Sequence, residues 1–170
     1  MTISRQCRFV LLVALLSIVP ASAWADAMSD CSASRDHDMV IRGCTELIAK
    51  NPTDANPYYN RGTAYLSRGL LDLAIADFDW AIQRNPKDAE PYNNRGEAYE
   101  NLKKLDLALE AYSRSIELNP KYARAWKNRG DIYAAQGNKE QAAVEYRRAL
   151  ALDPGYKFAQ EALKRLGLDR

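Results

Sequence analysis

The chain has 170 residues, 47% hydrophobic and 27% charged, with 7 Pro and 8 Gly. That length holds one domain or two small ones, and that balance excludes a disordered tail, a low-complexity linker and a multi-span channel. The formal charge of +2 supports no nucleic-acid role, because acids alternate with the bases and no basic stretch is interleaved with aromatics.

At the N-terminus, Arg5 and Arg8 precede the apolar run from Phe9 to Val19, Pro20 follows it, and Ala23-Trp24-Ala25 supplies a small-x-small site. A positive start, an apolar centre and such a site predict a signal peptide over residues 1–25, cleaved after Ala25, and an exported chain, periplasmic or secreted. The apolar run would span about 16 Å as a helix against a hydrocarbon core of about 30 Å, so no membrane insertion is expected after cleavage. Cys7 precedes the run, where a lipid-modified cysteine would not lie. Cleavage removes Arg5 and Arg8 and no acid, so 24 bases become 22 against 22 acids. The mature chain is formally neutral, and the apparent basicity belongs to the leader.

Residues 26–54 hold the two remaining cysteines, Cys31 and Cys44. In an oxidising compartment this pair predicts a disulfide, worth roughly 3 kcal/mol if unstrained; two reduced buried thiols are the alternative should the chain stay inside the cell. A catalytic cysteine has no support, since His37 is the single histidine and brings no Asn or Asp partner pattern. Asp36-His37-Asp38 cannot all reach one ion from a helix start, and helix capping by Asp36 or Asp38 accounts for them.

From residue 55 the punctuation repeats. Pro52, Pro86, Pro120 and Pro154 lie 34 residues apart, and Gly62, Gly96 and Gly130 keep the same step. The units 55–88, 89–122 and 123–156 each carry apolar residues at helical spacing, as in Leu73, Ala74, Phe78, Ala81 and Ile82, with no strand alternation. Each predicts two helices joined by a short turn containing Gly69 or Gly137, with the proline after the second helix. Gly62, Gly96 and Gly130 are expected to meet Ala74, Ala108 and Ala142 across the pair, with Tyr58, Tyr92 and Trp126 in the wider gaps.

Aromatic, Gly, Tyr, Ala, aromatic, Ala and Pro recur at repeat positions 4, 8, 11, 20, 24, 27 and 32. Unit one has Tyr58, Gly62, Tyr65, Ala74, Phe78, Ala81 and Pro86; unit two has Tyr92, Gly96, Tyr99, Ala108, Tyr112, Ser115 and Pro120; unit three has Trp126, Gly130, Tyr133, Ala142, Tyr146, Ala149 and Pro154. This pattern resembles the tetratricopeptide repeat (TPR), which implies an all-α solenoid of stacked helix pairs winding into a right-handed superhelix. Two departures stand out. Ser115 replaces the usual Ala, and Arg61, Arg95 and Arg129 stand at position 7, where Leu is more usual; their stems are expected to pack while their heads find carboxylates or water.

In that frame residues 36–52 match the second half of a repeat, with Val40, Cys44, Leu47 and Pro52 in place. What precedes them is short and polar. Cys31 falls at position 11, about 10 Å from where position 24 would face an ideal antiparallel partner, beyond the roughly 7 Å a disulfide allows. The expectation is therefore a degenerate unit over 26–54, with 26–35 folded back as a short turn or helix and stapled through Cys31 and Cys44. The Cys-to-CysThr layout resembles the start of exported bacterial TPR proteins. At the other end, 157–170 carries an amphipathic stretch with Phe158, Ala162 and Leu166 on one face, read as a C-terminal capping helix.

No phosphate loop, dinucleotide-binding glycine cluster, zinc-ligand spacing or nucleophile elbow occurs. No catalytic residue, metal or cofactor is therefore expected, and the chain reads as a non-enzyme. The resemblance implies instead a concave face lined by the first helices, here offering Tyr59, Asn60, Asn93, Asn94, Glu97, Glu100, Arg124, Lys127, Asn128 and Asp131. Asn60, Asn94 and Asn128 form a ladder that would bond an extended peptide's main chain, or bridge neighbouring helices. Only Arg124 and Lys127 are basic, against Glu90, Glu97 and Glu100, which disfavours a clamp for a terminal carboxylate and favours a polar or partly basic segment. The sequence thus predicts an exported module that binds a protein or peptide partner, as an adapter, assembly factor or chaperone-like subunit of the cell envelope. A self-associating structural subunit and a cryptic secreted enzyme or effector are the alternatives.

Overall fold

The computed structural model describes residues 21–168 and is all-α over them. The apolar leader segment and Cys7 lie outside the described residues. Nine helices follow in order: α1 Ala21–Ala33, α2 His37–Lys50, α3 Ala55–Ser67, α4 Leu71–Arg84, α5 Ala89–Asn101, α6 Leu105–Leu118, α7 Ala123–Ala135, α8 Lys139–Leu152 and α9 Lys157–Leu166. Each packs against the next, and contacts that skip a helix occur only along the odd-numbered series. The odd helices therefore lie on the inside of the curve and the even ones outside.

The close contact within each pair differs from the expected Gly–Ala match. A Cβ on Gly62 would lie 2.9 Å from Phe78, on Gly96 2.6 Å from Tyr112, and on Gly130 2.7 Å from Tyr146. The partner is the position-24 aromatic, because a ring lying flat on the first helix needs the missing side chain, whereas the fully buried Ala74, Ala108 and Ala142 are already small. The two halves of the α3–α4, α5–α6 and α7–α8 pairs are joined by a residue with positive φ: Gly69 (+72°), Lys103 (+61°) and Gly137 (+81°). Lys103 holds a backbone conformation that its Cβ disfavours.

The position-7 arginines are rivets between repeats. Arg61 holds Asp77 through Nε and Nη2, both at 2.8 Å, and gives Nη1 to Thr45 of the preceding unit. Arg129 does the same with Glu145 and with Ser113 of the preceding repeat. In the middle repeat Ala111 stands where the others have the acid, and Arg95 instead reaches Asp79 of the preceding repeat at 2.5 Å, its buried Nε having no partner among the described residues. Ser115 fits the position of an alanine because its hydroxyl donates to the Ala89 carbonyl at 2.8 Å.

The N-terminal unit is more regular in backbone than its sequence suggests. Residues 26–33, expected as a short turn or helix folded back on α2, form the greater part of α1, a 13-residue helix that starts 34 residues before α3. Its degeneracy lies in the side chains: Met28 stands where the repeats have glycine, and it is Gly43 on α2 that permits close approach, a Cβ there falling 2.7 Å from the Ala27 carbonyl and 2.8 Å from Asp30. The contact point thereby moves one turn along α1. Cys44 meets Cys31 with Cα atoms 4.7 Å apart and sulfurs at 2.11 Å, where an ideal pair would have kept them apart. Asp36 caps α2 by accepting from the Asp38 amide. At the far end, α9 covers Ala142 and Tyr146 with Ala162 and Leu163, and Gly167 closes it in the left-handed conformation.

Candidate functional site

The concave face divides into two zones. Toward the N-terminus its polar groups are bonded to each other across repeats. Tyr59 donates to Glu90 at 2.7 Å, and burial, reinforced by this carboxylate, pushes the Tyr59 phenol well above its ordinary pKa. Asn94, 3% exposed, donates to Tyr59 Oη at 3.3 Å and Thr63 Oγ1 at 3.4 Å. Asn93, fully buried, donates to Asn94 Oδ1 and accepts from Asn128 Nδ2, both at 3.1 Å. A continuous chain thus joins Asn128, Asn93, Asn94 and Tyr59 across three repeats. Asn60 is half-buried and its amide lies 3.9 Å from the Cys31 sulfur. Of the two roles open to the ladder, bridging is the one this geometry displays for Asn94 and Asn128.

Toward the C-terminus the face opens into a pocket of about 530 Å³ between α5, α7 and the start of α9. Glu97, Glu100, Arg124, Lys127, Asn128 and Asp131 contribute its polar lining, with Tyr112 in the floor and Tyr156 and Phe158 as an aromatic wall. A second hollow of about 460 Å³ continues it along α7 and α9, sharing Glu100, Lys127 and Asp131 and adding Tyr146 and Arg165. Six of the predicted groove residues, Glu97, Glu100, Arg124, Lys127, Asn128 and Asp131, are therefore brought together. Tyr59, Asn60, Asn93 and Asn94 lie outside the pocket.

Two of the three carboxylates are neutralised in place, Glu97 by Arg124 at 2.5 Å and Asp131 by Lys127 at 2.6 Å. Tyr146 also donates to Asp131 at 2.8 Å. Glu100 accepts from the Tyr112 hydroxyl at 2.7 Å but has no basic side chain in ion-pair contact among the described residues. Burial raises the Glu100 carboxyl above its usual range, the Tyr112 hydrogen bond opposes this, and Asp131 and Glu97 add to it against Lys127. Burial and the same carboxylates hold the Tyr112 phenol far above its ordinary value, so it stays a donor. Phe158 is 63% exposed at the rim, 5.9 Å from Lys127 Nζ.

Tyr156 and Phe158 escaped the sequence reading as groove residues. Their signal was available: Tyr156 stands at the last position of the third repeat and Phe158 in the first turn of the cap, so the helix that closes the core also walls the groove. Among the described residues no cluster of three metal-ligating side chains occurs, and no helix is long and apolar enough to cross a membrane.

A stack of helix pairs with a polar inner groove defines a solenoid interaction fold. The tetratricopeptide repeat profile matches residues 59–123 and again 102–157, and the chain belongs to the TPR family. Among solved structures it is similar to MamA, at 25% identity over 79% of this chain and 81% of that one with a TM-score of 0.68. It is similar to the first TPR domain of Spaghetti (RPAP3) bound to the HSP90 peptide SRMEEVD, at 28% identity over 66% of this chain and 90% of the other, TM-score 0.64. The second TPR domain of human RPAP3, in complex with the HSP70 peptide SGPTIEEVD, aligns at 25% identity over 65% and 92%, TM-score 0.61. A search of curated proteins finds no match.

Proposed function

We propose that this chain is an exported TPR module that binds an extended peptide or protein segment in the C-terminal half of its concave face, acting as an adapter, assembly or chaperone-like subunit of the cell envelope without catalytic activity. The observation that carries it is the open pocket of about 530 Å³ in which charged groups of both signs and an exposed aromatic wall converge. The two RPAP3 domains, held with peptides, lend support by likeness. In this reading Glu97, Arg124, Lys127, Asn128 and Asp131 meet the segment, while Asn93 and Asn94 keep the repeats at the spacing the groove needs.

Export rests on the leader pattern. Trp24 and Ala25 are exposed, and the buried residues of α1 following them are Ala27 and Cys31, so cleavage after Ala25 would leave those two contacts in the mature chain. The Cys31–Cys44 disulfide belongs to the same reading, since an oxidising compartment is where such a bond persists.

Affinity capture from the native envelope tests the groove. A partner retained by the wild type should be lost with the double variant R124A/F158A and kept with the convex-face variant L73A; loss with L73A alone places binding on the outer surface instead. Mass analysis of the exported chain should give an N-terminus at Asp26. Sedimentation at micromolar concentration decides against the self-associating alternative if the protein is monomeric.

A further inference from the structure

The groove has an uncompensated carboxylate, and its surroundings specify what would compensate it. Glu97 and Asp131 each hold a basic partner, whereas among the described residues Glu100 holds only the Tyr112 hydroxyl. A carboxylate removed from bulk water without a cation is unfavourable unless it is neutralised or receives one from elsewhere. The same pocket carries Tyr156 and Phe158, rings in mutual edge contact at 5.9 Å. Lys127 Nζ lies 5.9 Å from the Phe158 ring centre, at the outer reach of a cation–π contact.

We propose that the pocket is a specificity site for a cationic side chain, Arg or Lys, of the bound segment, with Glu100 as its counter-charge and Tyr156 and Phe158 flanking the alkyl stem. This rests on the groove-binding function above and narrows its partner to a segment with a basic residue at that register. An acidic segment is disfavoured because it would set a third charge of the same sign beside Glu100 and Asp131. Of the cations lining the two hollows, Arg124 and Lys127 are already engaged in ion pairs, and Arg165 belongs to the second hollow, which Tyr156 and Phe158 do not line.

The measurement uses three short blocked peptides of alanine and serine, identical except that alternate positions carry Arg, its neutral isostere citrulline, or Glu. They are titrated into the full mature protein by fluorescence anisotropy. The Arg peptide should bind about tenfold tighter than the citrulline peptide, a difference of about 1.4 kcal/mol, and the Glu peptide weaker than either. Glu100→Gln should erase the Arg-over-citrulline advantage.

Stability separates this from a merely structural role. The folded state favours the protonated Glu100 carboxyl, so stability associated with this group is present at low pH and is lost as pH rises through its raised pKa. Gln keeps a partner for Tyr112 without the charge, so E100Q should melt no lower than the wild type at pH 7 while losing Arg preference. Equal affinity for the Arg and citrulline peptides overturns the proposal and leaves the groove function standing. Failure of all three peptides to bind overturns both, and a large fall in the melting temperature of E100Q assigns Glu100 to the fold instead.

Discussion

At the scale of single residues, the repeat is held by what is absent as much as by what is present. Gly96 gives Tyr112 a seat in which the ring is fully buried, and a Cβ there would stand 2.6 to 2.7 Å from two ring carbons. A ring has no flexible end to yield. Gly96→Ala should therefore destabilise by about 1–3 kcal/mol, read as a lower urea midpoint with an unchanged slope. The middle repeat also lacks the acid that partners Arg61 and Arg129. Ala111→Glu would supply the buried Arg95 Nε with an acceptor, and the expected gain is about 1 kcal/mol, the net contribution of a typical intramolecular hydrogen bond. A loss of stability there would show that Asp79 already satisfies this arginine.

At the scale of helices, α1 and α9 do for the ends what neighbours do for the middle. Cleavage after Ala25 would leave α1 with only residues 26–33, too short to be helical on its own, packed through Ala27 and Cys31 and joined to α2 at Cys44. The double variant C31A/C44A should lower stability by about 3 kcal/mol relative to the oxidised protein, with hydrogen exchange accelerated first in α1. Uniform acceleration across all helices would instead mean that the whole stack opens as one unit. The position-24 cysteine also marks where the repeat frame bends: with Met28 in place of glycine, the approach passes to Gly43, one turn away from the regular contact.

At the scale of the whole molecule, the solenoid buries a core only by stacking, so each exposed end needs a lid. Truncation after Tyr156 removes α9 and uncovers Tyr146 and Ala142. The truncated chain should self-associate in sedimentation at micromolar concentration while the full chain does not. Because α9 also carries Phe158 to the groove, the same truncation should lower peptide affinity. Fold completion and site construction are thus the same event at this end of the molecule.

The periodic features were legible in the sequence because each is a local rule repeated at a fixed step. Proline past the first turn ends a helix, while Pro57 and Pro91 are tolerated in the first turns of α3 and α5; small residues fall where helices touch, and the 34-residue period carries both into a stack without knowledge of any contact. The groove residues on α5 and α7 came from the resemblance to the tetratricopeptide repeat, applied in that register. Tertiary structure alone decided which of them face a cavity and which face each other. Asn94 and Asn128 occupy equivalent positions in the sequence as Asn60 does, yet they have polar neighbours one repeat back and bond to them, whereas Asn60 meets the cysteine pair. Glu100 differs from Glu97 for a comparable reason: Arg124 on α7 is in reach of one and not of the other. The sequence by itself determined the helix pairs, the stack and its inner face; the pairing of charges across repeats, and with it the free carboxylate in the pocket, depends on distances between side chains far apart in the chain, which only the packed solenoid sets.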